Sequence, residues 1–366
     1  MSLRDLRRHV GQLAILGFPG HEITADLKAI AREFDLGGVI FFARNIAEPP
    51  QVLAMSRQAR ELARELPLWV SVDQEGGRVA RLKDPFTVWP PMMTLGRMPA
   101  QEGEALARRF ARALAAELKA VGINLDYAPV LDVLTNPANP VIGDRALGER
   151  AERVASLGRA IIETLQGEGL AACGKHFPGH GDTATDSHHE LPLVEHPPDR
   201  LRQVEFIPFR EAVAADVASI MTAHVLIPAI DEQLPATLSP RIVDAMLKKE
   251  LGYRGLVLSD DLEMKAISAQ YSPGEAAAKA LAAGCDAFLV CGPNADVHVQ
   301  ALEGVIRAVE AEELPLTRVE DALARHRRVK ERFLALQPTS FDERLLSEVI
   351  GRGEHRAVAE EMARFA

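Results

Sequence analysis

An α/β fold, a single (β/α)8 TIM-type barrel with a C-terminal helical tail, is what this sequence predicts. Short β-branched or apolar runs alternate with longer stretches of helical periodicity, the signature of a parallel sheet with helical crossovers. The short runs are apolar almost throughout, which suits strands covered on both faces. With 366 residues, 47% of them hydrophobic, the chain can bury a core of barrel size.

Eight runs read as strands: 12–17, 39–42, 69–73, 125–130, 171–176, 219–223, 256–260 and 287–291. The segments between them behave as helices. In 148–167, Val154, Leu157, Ile161 and Leu165 recur at three- and four-residue steps and line one face. In 272–284, Ser272 is placed as N-cap, Pro273 takes the first helical position, Glu275 completes a capping box and Gly284 is the stop. Ser239 and Pro240 repeat that start ahead of 241–251. A doubly wound open sheet is the runner-up arrangement. No linker rich in Gly, Ser or Pro divides the chain, so 1–336 is assigned to the catalytic barrel and 337–366 to a helical tail packed on its outside.

The net charge is −10, with acidic and basic residues interspersed and no basic stripe. That excludes nucleic acid and anionic lipid as expected partners. The apolar run 13–18 is too short and too closely flanked by charge for a signal peptide or a membrane span, so a cytoplasmic location is expected. Separately, the chain is expected to be a monomer. Cys173, Cys285 and Cys291 form no C-x-x-C and sit in or beside apolar segments. They read as buried thiols, neither disulfides nor zinc ligands.

In a barrel the chemistry belongs at the C-terminal ends of the strands. Polar residues follow several predicted strands: the third in VSVDQEGGRVAR, the fifth in GKHFPGHGDTATDSHHELP, the sixth in MTAHV and the seventh in LVLSDDLEM, with NPVIGDRALGER between the fourth and fifth. Asp260 closes the seventh strand, where a partly desolvated carboxylate is placed to attack an electrophilic carbon. The alternative is that Asp260 or Asp261 caps the next helix, and the residues alone leave both open.

Segment 175–189 holds four histidines and two aspartates among glycine and proline breaks. Loops so dense in ionisable groups are rarely mere connectors. A metal site is one reading of His176, His180, His188 and His189, but no H-E-x-x-H or comparable ligand spacing is present. A proton-transfer pair is another: Asp186 and His188, two residues apart, face the same side of an extended loop, and the aspartate stabilises an imidazolium competent near neutral pH. The third reading is that some histidines only cap the loop or meet solvent, which is preferred for His189 and extended to His180. Lys175, Arg145 and Arg81 supply directional donors, and Asp73 an acceptor, for a hydroxyl-rich neutral ligand.

The run KHFPGHGDTATDSHHELP, with VDQEGGRVAR before it and LVLSDDLEM after it, resembles glycoside hydrolase family 3 in its single-domain β-N-acetylglucosaminidase branch, over nearly all of residues 8 to 335. The resemblance implies that Asp260, not Asp261, is the nucleophile, and that His188 is the acid/base oriented by Asp186. It implies that Asp73, Arg81, Arg145, Lys175 and His176 bind substrate. It further implies exo-hydrolysis of terminal β-linked N-acetylglucosamine from muropeptides, with retention through a glycosyl-aspartate intermediate. A histidine then replaces the second carboxylate of the usual scheme. No metal or other cofactor is called for, and the partner is a small carbohydrate. The second sandwich domain of many family members is absent from this reading, so the barrel builds its pocket alone, with loop 175–192 expected to close over the sugar. A phosphorylase using the same site and a β-glucosidase are the rival activities. A sugar-binding barrel without catalysis and a metal-dependent hydrolase are the rivals from other classes.

Overall fold

The computed structural model describes residues 2–187, 189–335 and 343–366. Eight strands form the framework: β1 (Ala14–Leu16), β2 (Gly38–Phe41), β3 (Trp69–Val72), β4 (Leu125–Asp126), β5 (Ala171–Phe177), β6 (Ser219–Thr222), β7 (Leu256–Asp261) and β8 (Ala287–Val290). Each pairs in parallel with its neighbour in chain order, and β8 returns to β1 through Ala14↔Phe288, Ile15↔Leu289 and Leu16↔Val290. That closure decides for the barrel against the open sheet.

All eight expected strands are present; five are shorter than expected, β3, β6 and β8 by one residue each and β1 and β4 by three and four. Residues Val10–Leu13 wind as a 3-10 turn ahead of β1. β4 stops at Asp126, and beyond it Val130 makes a single bridge to Lys175. Pro129 lies between them and has no N–H to give to a ladder.

Successive strand residues point to opposite faces, and the two faces meet different layers. Ile15, Ile40, Trp69, Cys173, Leu258 and Leu289 meet inside the barrel. From the N-terminal end, Val329 and Phe333 of the helix Leu316–Leu334 close that interior. Ala171, Cys173 and Lys175 share one face of β5, and Leu256 and Leu258 share one face of β7, whose register against β8 then shifts by one residue before Asp261. Lys175 therefore continues an inward-facing row at the C-terminal mouth, and the charges that act on Asp260, from His224, His176 and Lys175, place its carboxylate at the same mouth.

Helix Pro273–Ala283 starts as expected: Ser272 and Glu275 form a capping box, Pro273 opens the helix and Gly284 ends it. Val154, Leu157, Ile161 and Leu165 are buried on one face of helix Ala151–Gly167. Ser239 does not cap the π-helix Arg241–Glu250, because its hydroxyl is bound 2.7 Å away by the Asp231 carboxylate. The three cysteines are free and buried, as read from the sequence.

Beyond the barrel, helix Gly353–Ala363 lies against helix Ala100–Ala120 and buries Val358, Ala359 and Met362. The contact is tied by Glu117. This buried carboxylate accepts from the Thr87 amide and hydroxyl, the Gly351 amide and His355 Nδ1. Among the described residues no helix is long and apolar enough to cross a membrane.

Candidate active site

A hairpin follows β3 directly and carries three polar side chains over the barrel mouth. Strand Gln74–Gly76 pairs antiparallel with Val79–Ala80. Gln74 staples it: its Oε1 accepts from the Arg81 and Leu82 amides and its Nε2 donates to the Leu82 carbonyl. At the turn, Gly77 has φ +57, and a Cβ there would meet Pro91 Cα at 2.9 Å. Only glycine fits both the left-handed backbone and the close approach.

Five side chains from three segments form one alternating row of charge. Arg81 Nη2 lies 3.2 Å from Asp73 Oδ2, and Lys175 Nζ lies 2.8 Å from Asp73 Oδ1 and 2.6 Å from Glu75 Oε1. Arg145 reaches both Glu75 oxygens, each at 2.8 Å. Burial opposes the charge on Glu75, but Arg145 and Lys175 outweigh it and hold the carboxyl well below the usual range. Burial likewise opposes the charge on Lys175, and Asp73 and Glu75 more than restore it. Three cations against two carboxylates leave the row one positive charge. Asp73 and Arg81 keep 16% and 27% of their side-chain surface exposed, so this end of the row faces the opening.

The turn beyond β5 is organised by Asp132, which is wholly buried after β4. Its carboxylate accepts from the His176 amide, from His176 Nδ1 at 2.7 Å and from the His180 amide at 2.7 Å. An ionised acceptor fixes the hydrogen of His176 on Nδ1 and leaves Nε2 for another partner. The Lys175–His176 and Phe177–Pro178 peptides are cis.

His180 is a buried pin and does not meet solvent. Its Nδ1 is 2.7 Å from Thr183 Oγ1 and its Nε2 3.3 Å from Ser187 Oγ, and burial pushes its pKa down to about 4. His189 is exposed. Asp186 is half-buried, with its carbonyl accepting from the His189 and Glu190 amides. His188 lies outside the described residues. The Ser187 carbonyl accepts from the Ala266 amide at 3.2 Å, which lays this loop beside the segment that follows β7.

The two aspartates at the end of β7 behave differently. Asp260 accepts from the Asp261 amide at 2.8 Å. Burial alone would neutralise it, but His224, His176, that amide and Lys175 together hold it below the ordinary carboxylate range. Asp261 takes the capping role instead, accepting from the Glu263 and Cys291 amides. Burial pushes its pKa up to about 7. Of the pair, Asp260 is the carboxylate held ionised and Asp261 the one whose oxygen is taken up by backbone amides.

Asp73, Arg81, Arg145, Lys175, His176 and Asp260 thus gather at the C-terminal mouth. Sequence reasoning passed over Glu75, Asp132 and His224. Glu75 lies in the same run as Asp73 and Arg81, and three cations set against one expected acceptor are a signal that a second carboxylate is near. His224 lies in the strand-end run MTAHV, which is noted without a role for its histidine, and Asp132 carries no local cue. Among the described residues no group of three or more His, Cys, Asp or Glu side chains is arranged to hold a metal ion.

Residues 5–329 match the model of the glycosyl hydrolase family 3 N terminal domain. The β-hexosaminidase of Bordetella pertussis is 43% identical over 279 residues, which are 75% of this chain and 78% of that protein. β-Hexosaminidase A of Pseudoalteromonas piscicida is 33% identical over 363 residues, and the match takes in 93% of this chain but only 60% of that longer protein. Among solved structures, a glycoside hydrolase family 3 β-N-acetylglucosaminidase from Paenibacillus sp. superposes with a TM-score of 0.90 at 42% identity, covering 98% of this chain and 68% of that one. NagZ from Neisseria gonorrhoeae, in complex with N-trifluoroacetyl-D-glucosamine, superposes with a TM-score of 0.79 at 29% identity, covering 99% of both chains.

Proposed function

Since this chain belongs to glycosyl hydrolase family 3, we propose that it is a retaining exo-β-N-acetylglucosaminidase. Asp260 attacks the anomeric carbon as the glycosidic C–O bond breaks, and His188, oriented by Asp186, gives its proton to the departing oxygen. In the second half-reaction His188 takes a proton from water, the water oxygen bonds to the anomeric carbon and Asp260 departs. Two inversions leave the configuration retained. Asp73, Arg81, Arg145, Lys175 and His176 hold the sugar hydroxyls.

The observation that carries this reading is the state of Asp260: half-buried at the C-terminal end of β7 and held ionised by His224, His176, the Asp261 amide and Lys175. Beside it, the row from Arg81 to Arg145 offers donors and acceptors already locked in place, which suits a neutral, hydroxyl-rich ring better than a charged ligand. The names of the relatives point to the N-acetylated amino sugar.

We assign the substrate to peptidoglycan fragments, the compartment to the cytoplasm and the active species to a monomer, with 1–336 as the catalytic barrel and 337–366 as its tail. Three free, buried thiols suit a reducing compartment. Val88 and Leu193 are the exposed large hydrophobic side chains among the described residues, and scattered single residues of that kind suit a chain that works alone.

Release of p-nitrophenol from a panel of aryl glycosides tests the reading. The N-acetyl-β-glucosaminide is expected to be cleaved in preference to the glucoside, at a rate indifferent to phosphate. Asp260→Asn is expected to lower turnover by roughly a thousandfold or more. Unchanged turnover in that variant sinks the assignment of the nucleophile. A preference for glucose makes the enzyme a β-glucosidase, and acceleration by phosphate with a sugar 1-phosphate product makes it a phosphorylase.

A further inference from the structure

The run MTAHV closes β6 with a histidine that has no part in the chemistry proposed for Asp260 and His188. His224 is completely buried at the C-terminal mouth of the barrel. Its Nε2 lies 2.9 Å from the Asp261 carbonyl and its Nδ1 lies 2.8 Å from Thr237 Oγ1. Thr237 Oγ1 is in turn 3.0 Å from the Ala223 carbonyl and 2.8 Å from Thr222 Oγ1.

Counting hydrogens settles the charge on the ring. A threonine hydroxyl has one hydrogen to give and two lone pairs to receive. The Ala223 carbonyl can only accept, so the Thr237 hydrogen goes there, and Thr222 and His224 Nδ1 then both donate to Thr237. The Asp261 carbonyl also only accepts, so Nε2 carries a hydrogen as well. Any other assignment sets two acceptors against each other at one of the four contacts. With hydrogens on both nitrogens the ring is an imidazolium.

That cation stands next to the two aspartates of β7. Burial pushes the Asp260 carboxyl towards its neutral form, and His224 exerts the largest opposing pull, ahead of His176, the Asp261 amide and Lys175. The titratable and charged groups at this corner include Asp260 and Asp261 on β7, Lys175 and His176 on β5, His180 in the turn beyond β5, Cys291 after β8, and Cys285, whose thiol meets the Thr237 carbonyl. Thr237 and Thr222 are buried with it, so the ring has no route to bulk water through them.

We infer that His224 is a positioning residue for the nucleophile, a buried imidazolium that keeps Asp260 charged and, through the Asp261 carbonyl, holds the tip of β7 in place. The inference rests on the role proposed for Asp260 in hydrolysis. It separates two duties that a single catalytic histidine could not combine. His188 must lose and regain its proton in every cycle, whereas His224 must never lose its own.

The test is the dependence of kcat/KM on pH for an aryl N-acetylglucosaminide in the unaltered enzyme, in His224→Gln and in Thr237→Val. Glutamine keeps a neutral donor and acceptor but removes the charge. The acidic limb, which reports ionisation of Asp260, is expected to move to a pH about 1 higher in His224→Gln, so that kcat/KM on that limb falls about tenfold. Thr237→Val, which takes away the acceptor for Nδ1–H, is expected to move the limb the same way by less. Nitrogen NMR of histidine-labelled, unaltered enzyme is expected to show one buried ring protonated at both nitrogens at neutral pH, with that signal absent from His224→Gln. An acidic limb that stays in place in both folded variants, or a neutral ring in the unaltered enzyme, overturns the inference. Failure of the unaltered enzyme to cleave the glycoside overturns the role given to Asp260, and the NMR result then decides the charge of His224 by itself.

Discussion

Three hydrogen bonds converge on the Asp132 carboxylate, from the His176 amide, the His176 ring and the His180 amide, in a place fully shielded from solvent. Removing only the charge, as Asp132→Asn does, leaves one oxygen for the backbone amides and sets an NH2 group against the ring. Hydrogen bonds to a charged acceptor contribute about 2 kcal/mol each, so kcat/KM is expected to fall roughly thirtyfold with most of the loss in KM, because the role proposed for His176 is to bind the sugar and not to react. Equal kinetic constants in the variant and the unaltered enzyme would separate His176 from the sugar altogether. At this scale the sequence marked the side chains that carry charge at strand ends, since Asp73 and Lys175 follow from the barrel rule, whereas Asp260 is separated from Asp261 only by the family resemblance. It did not mark their partners. Asp132 acts on a histidine 44 positions away, and His224 acts through the carbonyl of Asp261, 37 positions away. Contacts of that separation exist only once the barrel has closed.

Elements that are specified locally were legible, and those that depend on a distant partner were not. The start of helix Pro273–Ala283 is written within four residues, Ser272 to Glu275, and the structure has it as read. Ser239 offers the same local signal, yet its hydroxyl goes to Asp231, which is brought alongside by the loop after β6. The C-terminal helix follows the second rule. It lies on the outside of the barrel through Glu117, which burial would neutralise but which His355 and Thr87 hold ionised. The consequence reaches the site: Thr87 leads to Trp89, and the Trp89 carbonyl receives the Gly77 amide of the hairpin that follows Asp73. Glu117→Ala strips four donors of their acceptor, and is expected to cost about 3 kcal/mol of stability in urea unfolding. An unmoved unfolding midpoint would mean that the tail contributes nothing to holding the barrel.

Across the whole molecule, burial divides titratable groups into two sets whose effects on stability oppose each other. Composition counts these groups at their ordinary values, so the division is invisible until the core is known. Burial pushes the pKa of His180 down to about 4 and that of His326 to about 3, whereas an unfolded histidine titrates near 6.5. As pH falls through that interval the unfolded chain takes up protons that the folded rings refuse, so stability present above about pH 6.5 is lost on the way down. Burial raises the pKa of Asp35, Asp126 and Glu205, and lifts that of Asp261 to about 7, with the reverse sign: the folded chain binds those protons first and gains stability as pH falls. The two sets oppose each other between about pH 6.5 and the ordinary carboxylate range, and below it Glu75, Glu117 and Asp132, whose pKa values are lowered, add a further loss of stability as pH falls. A single substitution exposes one of the two opposing sets. His326 is fully buried, with Nε2 bonded 3.1 Å away to the Asp286 carbonyl and Nδ1 without a partner among the described residues. His326→Gln keeps a donor and abolishes the titration. At pH 7.5 the variant is expected to be about 1 kcal/mol less stable, from imperfect packing of the new amide. Near pH 4.5 the unaltered enzyme has lost about 2–3 kcal/mol that the variant has not, so the order of stabilities reverses. Urea unfolding of both proteins at the two pH values measures this directly, and a constant difference between them would show that the ring is charged in the folded state.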